Sequence, residues 1–169
     1  MGLLNADSLA RIERECAKYP PEQRQSAVMS ALRIAQEQDG WLSNDVMEEV
    51  ATVLCMPPVW VYEVATFYNM YNLKPTAKYK ISVCTNLPCA LSGAEGAAEH
   101  LKRRCGVAGF NETSADGRYM VKEGECMGAC GDAPVMIVNN HRMVGFMTNE
   151  KIDGLIDELA ATPAKAGAQ

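Results

Sequence analysis

Lys78-Tyr-Lys-Ile-Ser-Val83 runs directly into Cys84-Thr-Asn-Leu-Pro-Cys89, and this stretch decides the fold. Its first six residues alternate polar and apolar side chains, the period of a half-buried strand. A loop containing Cys84 and Cys89 is expected next, then a helix over about residues 92–104. Further on, Asp116-Gly117 predicts a hairpin turn between short strands. Residues 135–138 and 143–146 flank Asn139-Asn140 and predict a second hairpin. Thr148 is placed to cap a last helix with Ile152, Leu155, Ile156 and Leu159 as its buried stripe. Strand, loop, helix, hairpin strands and helix in that order predict an α+β domain with a small mixed sheet and flanking helices.

Upstream the character differs. Residues 1–75 read as helices punctuated by proline and glycine. Asp7 and Ser8 are candidate caps for a helix running to Tyr19, where Pro20-Pro21 stops it. A second helix is expected over about residues 22–38, with Val28, Leu32 and Ala35 on one face and Gly40 closing it. Ser43 caps a third that ends before Pro57, and Pro58 suits the first turn of a fourth, through about Tyr68. The organisation expected is a helical docking domain over residues 1–75, a second domain over 76–161, and a flexible Ala- and Gly-rich tail over 162–169.

Composition narrows the function. The chain has 169 residues, a net charge of −5 and a pI near 5.1, which argues against phosphate recognition through a basic surface. Most of the negative charge falls before residue 75. The N-terminus lacks the basic and long apolar regions of a signal peptide, and Ala6 weakens a myristoylation reading of Met1-Gly2. The longest charge-free apolar stretch, residues 50–62, is too short to span a bilayer and contains Pro57-Pro58. A cytosolic location is expected, where paired cysteines mean metal or redox chemistry more often than disulfides.

Four of the seven cysteines form two close pairs. Cys84 and Cys89 are separated by four residues, Cys126 and Cys130 by three, and 36 residues intervene between the pairs. Gly124, Gly128, Ala129, Gly131 and Ala133 surround the second pair. Small residues let backbone N–H groups approach sulfur and stabilise a thiolate cluster. Four thiolates suit a tetrahedral zinc or an iron–sulfur cluster, and the wider spacing leans towards the cluster. Spacing alone leaves [2Fe–2S] and [4Fe–4S] both open. Cys16, Cys55 and Cys105, without close cysteine partners and read as lying in helices or at a helix end, are expected to be small hydrophobes. Glu123, Glu125 and Asp132 flank the second pair, and negative charge there lowers a cluster's potential.

Cys84-Thr-Asn-Leu-Pro-Cys89 together with Gly124-Glu-Cys-Met-Gly-Ala-Cys-Gly-Asp-Ala-Pro134 resembles the thioredoxin-like [2Fe–2S] subunit of respiratory complex I, the E subunit of bacterial NADH:quinone oxidoreductase. Ala65-Thr-Phe-Tyr68 extends the resemblance upstream. The resemblance implies a thioredoxin-like domain in which Cys84, Cys89, Cys126 and Cys130 hold one [2Fe–2S] cluster. It implies electron exchange with the FMN of a flavoprotein partner that also binds NADH, so this chain would bind neither. No glycine-rich dinucleotide fingerprint occurs in the sequence, which agrees. Other subunits of the hydrophilic arm would be neighbours, on the cytoplasmic side of the inner membrane, with no direct membrane insertion. The equivalent subunit of an NAD-reducing hydrogenase or NAD-dependent formate dehydrogenase is an alternative, as is a zinc-stabilised interaction module. A thiol–disulfide oxidoreductase is disfavoured because no C-x-x-C occurs. Trp60, Tyr62, Phe67, Tyr68, Met70 and Tyr71 are either a helix packed in the core or a docking surface for the flavoprotein.

Overall fold

The computed structural model describes residues 2–162, and the expected tail from residue 163 onward lies outside the described residues. The chain divides into two compact units, with the boundary between Pro75 and Thr76.

The first unit is helical. Helix α1 (Ala6–Cys16) is capped by Asn5, whose Oδ1 accepts the Ser8 N–H at 2.8 Å. Asp7 and Ser8 are therefore inside the helix, not at its cap. Asn5 has the extended backbone that a cap requires, and its oxygen lies three residues before a free N–H. The helix ends at Cys16, short of Tyr19. Residues Pro21–Ala27 form a 3₁₀ segment in which Gln23 leaves helical geometry, so α2 begins only at Val28 (Val28–Asp39). The Gln23 N–H bonds back to the Pro20 carbonyl at 2.8 Å, an i→i+3 closure, in place of an α-helical turn. Gly40, at φ 81°, closes α2. Helix α3 (Asn44–Leu54) is capped by Ser43, and α4 (Pro58–Phe67) starts on Pro58. Ile12, Leu32, Ile34, Val50, Leu54 and Val61 are fully buried between them.

The second unit contains β1 (Tyr79–Cys84), a short helix α5 (Leu87–Leu91), α6 (Ala94–Cys105), β2 (Glu112–Thr113), β3 (Tyr119–Gly124), β4 (Met136–Val138), β5 (Arg142–Val144) and α7 (Asn149–Ala161). The sheet order is β2-β3-β1-β4-β5. Strand β1 pairs parallel with β3 and antiparallel with β4, and both outer pairs are antiparallel. Both predicted hairpins form. Asn139 and Asn140 turn the second with φ of 50° and 59°, a conformation that asparagine tolerates. Thr148 caps α7, and the four predicted stripe residues are buried.

Strand β1 corrects the expectation of half-burial: all six of its residues are buried, Lys80 and Ser82 included. Tyr79, Ile81 and Val83 join the core beneath α6 and α7. Lys80 and Ser82 take the alternate positions. Pairing on both flanks, set by the central position in the sheet, governs their accessibility more than side-chain polarity does.

Candidate functional site

The register of the central strands builds the site. Cys84, the last residue of β1, is the parallel partner of Gly124, the last residue of β3. One strand therefore delivers the first cysteine to the point where the other releases the loop bearing Cys126 and Cys130. Strand β4 fixes the other side, since the Cys84 N–H donates to the Val135 carbonyl at 3.0 Å. A Cβ at position 124 would come within 3.2 Å of the Val83 carbonyl oxygen, so glycine lets the chain leave the sheet there.

The two pairs sit in opposite surroundings. Cys84 and Cys89 are each 2% exposed and cluster with Ala94 and Val135, against Met127, Ala129 and Ala133. Cys126 and Cys130 are exposed, with their sulfurs 3.9 Å apart. The loop placement expected for the first pair is corrected: Cys84 ends a strand and Cys89 lies in α5. Leu87-Pro-Cys-Ala-Leu91 makes a single turn with Pro88 near its start, too short for a periodic pattern to announce.

Backbone donors reach the sulfurs. The Gly128 N–H points at Cys126 Sγ at 3.4 Å, with Gly128 at φ 74°, and the Val135 backbone donates to the Cys89 thiol. The thiols also act on one another. Burial first, then the Cys84 thiol, pushes the Cys89 thiol up, and the charge of Cys130 adds to this. The hydrogen bond and charge of Cys126 push Cys130 up, with a contribution from Cys84. Thiolates that act on one another in this way repel, and a cationic centre would relieve that repulsion. Among the described residues, no three or more His, Cys, Asp or Glu side chains are gathered to hold one metal ion.

Two carboxylates tie the loops together. Thr85 Oγ1 donates to Glu123 at 2.8 Å, and Asn86 Nδ2 donates to Glu125 at 3.2 Å. Thr85 and Asn86 escaped the sequence reading because their partners lie 38 and 39 residues away, and no local pattern marks such a pairing. The remaining cysteines stand apart. Cys16 and Cys105 are buried, and burial pushes the Cys105 thiol up to about 11. Cys55 is not a buried helical residue: it ends α3 in the left-handed region, at φ 54°, and is exposed.

Residues 12–160 match the thioredoxin-like [2Fe-2S] ferredoxin family. The chain belongs to that family. Among curated members of comparable length, NADH-quinone oxidoreductase subunit 2 of Thermus thermophilus is 39% identical over 89% of this chain and 82% of its own. The E subunit of the NADH-quinone oxidoreductase of Rickettsia felis is 43% identical over 83% of this chain and 84% of its own. The fold of this chain also resembles part of an NAD+-reducing [NiFe]-hydrogenase. The match has a TM-score of 0.66 at 24% identity and covers 78% of this chain but 22% of the hydrogenase chain. Among the described residues, no helix is long and apolar enough to cross a membrane.

Proposed function

We propose that this chain is the E-type subunit of an NADH:quinone oxidoreductase and an electron carrier within it, holding one [2Fe–2S] cluster on Cys84, Cys89, Cys126 and Cys130. One observation carries the reading: the parallel β1–β3 register brings two cysteine pairs to one end of one sheet. The donor set fits the group. Four soft sulfur ligands in two pairs are what two irons require, and backbone N–H groups already point at two of the sulfurs. Bound there, the cluster supplies uptake and release of single electrons.

The chain's own residues do the rest. Burial of Cys84 and Cys89 keeps water from half of the ligand set. The Gly128 and Val135 N–H groups offset negative charge on sulfur, while Glu123, Glu125 and Asp132 add negative charge around it. The balance of these donors and charges sets the potential. FMN and NADH belong to a partner subunit in this reading, and the chain sits in a peripheral arm on the cytoplasmic side of the membrane. The helical unit anchors it there. Trp60, Tyr62, Phe67 and Tyr68 are exposed on or just after α4, whereas Tyr71 is buried and donates to the Met29 carbonyl at 2.9 Å. Exposed aromatics are the usual anchors of such contacts.

Identity of about 40% over most of the chain to quinone-reductase subunits favours this assembly over a hydrogenase, whose likeness is one of fold. The test is the iron, sulfide and zinc content of anaerobically purified protein, together with its visible spectrum. Equal iron and sulfide with a coloured spectrum is expected. Stoichiometric zinc without iron would refute the proposal.

A further inference from the structure

Met127 is out of character for its loop. Residues 123–134 read Glu-Gly-Glu-Cys-Met-Gly-Ala-Cys-Gly-Asp-Ala-Pro, and Met127 is the one long apolar side chain among them. Its neighbours Cys126 and Gly128 are exposed, yet Met127 is half-buried. The backbone turns at Gly128, which has φ 74° and points its N–H at Cys126 Sγ at 3.4 Å. From this turn the methionine folds back to pack against the buried cluster of Cys84, Cys89, Ala94 and Val135. The seclusion of the first cysteine pair therefore depends in part on a side chain from the loop that carries the second.

The far end of Met127 sits over Gly124. A Cβ on Gly124 would lie 2.9 Å from the Met127 Cε, closer than real Cβ contacts come. The same point is 3.2 Å from the Val83 carbonyl oxygen and 3.4 Å from the Ser82 Cβ, so the methyl group reaches the last residues of both β1 and β3. Glycine at 124 thus does more than let the chain leave the sheet: it leaves the space that Met127 fills. An unbranched, polarisable thioether suits such a gap.

We infer, resting on the cluster reading above, that Met127 is a positioning residue for electron transfer. It closes the site to water at the ends of β1 and β3, and Gly124 keeps the space open for it. The apolar shell around a metal site controls solvent access and through it the potential. An added electron makes a four-thiolate cluster more negative, and water favours the more highly charged state. An apolar side chain in water's place keeps the potential low, and it shields Cys84 and Cys89 from solutes.

The experiment uses the full-length protein before and after cluster loading. In the unloaded protein, iodoacetamide labelling is followed cysteine by cysteine by mass spectrometry. Met127→Ala should speed labelling of Cys84 and Cys89 about fivefold or more while leaving the other buried thiols, Cys16 and Cys105, unchanged. In the loaded protein, Met127→Ala should raise the reduction potential and speed iron release to a chelator. Met127→Leu should restore wild-type behaviour in both, since it refills most of the space. Gly124→Ala should act like Met127→Ala, and combining the two should add little, because both remove the same contact. If Gly124→Ala does not fold, the Met127 variants carry the test. Wild-type labelling of Cys84 and Cys89 in Met127→Ala would overturn the inference, as would equal acceleration at Cys16 and Cys105 or an unchanged potential. A wild-type protein that takes up no iron would overturn the cluster reading and the tuning with it, and the labelling would still decide whether Met127 shields the pair.

Discussion

Cys84 and Cys126 carry the same thiol into opposite surroundings, one sealed at a strand end and the other open on a loop. In the proposed cluster they are equivalent ligands, so alanine at 84, 89, 126 or 130 should each abolish or badly weaken iron retention. Cys16→Ala and Cys105→Ala should keep full iron content at a cost on the order of 1 kcal/mol, the price of a small buried cavity. Iron per chain and a denaturant midpoint separate the two outcomes; an iron-free Cys105→Ala beside an iron-replete Cys84→Ala would reverse the assignment. Glu125→Gln probes the electrostatics. Glutamine still offers an acceptor to Asn86 but removes a negative charge, so the reduction potential should rise on the order of tens of millivolts. A lower potential in a redox titration would contradict the argument. The two cysteine pairs were legible at this scale because cysteine spacing is local and chemically loud, but the strand end and single turn that hold Cys84 and Cys89 were not. Nor were Thr85, Asn86, Met127 and Val135, since each matters through a neighbour that only the folded sheet supplies.

At the scale of elements, α7 and both hairpins could be read in advance because each announces itself within a dozen residues. A threonine cap precedes an apolar stripe, and turn residues sit between short strands. The α1 cap, the 3₁₀ start of the second helix, α5 and the burial of β1 escaped. Two of these depend on which of several adjacent polar or proline residues takes the decisive backbone angle, one on a single turn, and one on the strand's place in the sheet. The α6–α7 pair carries a measurable signature. Asp153 accepts from His100 Nε2 at 2.8 Å and pairs with Arg104 at 2.7 Å. The His100 hydrogen bond, then its charge and that of Arg104, holds the Asp153 carboxyl below its ordinary value. A carboxylate with a depressed folded-state pKa adds stability that is present above the unfolded pKa, about 3.9, and is lost as pH falls through the folded value. Asp153→Asn should therefore lower Tm at pH 7, with the gap to wild type closing below about pH 4. A constant gap from pH 7 to pH 3 would assign the loss to packing.

Across the whole molecule, the cysteine-bearing unit has its own sheet and core, with Ile81, Val83, Leu101, Met136 and Ile152 fully buried. A fragment starting at Thr76 should still bind iron and sulfide with lowered stability, because about 90 residues approach the usual size of an independent core. It should wash out of the assembled complex, since the exposed aromatics of α4 stay behind. A fragment retained as firmly as the full chain would assign the anchoring to the cysteine unit. The strand order has a further consequence in time. During synthesis, Cys84 emerges well before Cys126, and both flanking partners of β1, β3 and β4, are also made after Cys84. Pairings this remote in sequence form slowly, after local helices are in place. The nascent chain thus passes through a period with unpaired thiols and no scaffold to hold them. On the proposed function, loading with iron and sulfide follows the pairing of β1 with β3 and β4, and cells short of either should accumulate the folded apoprotein.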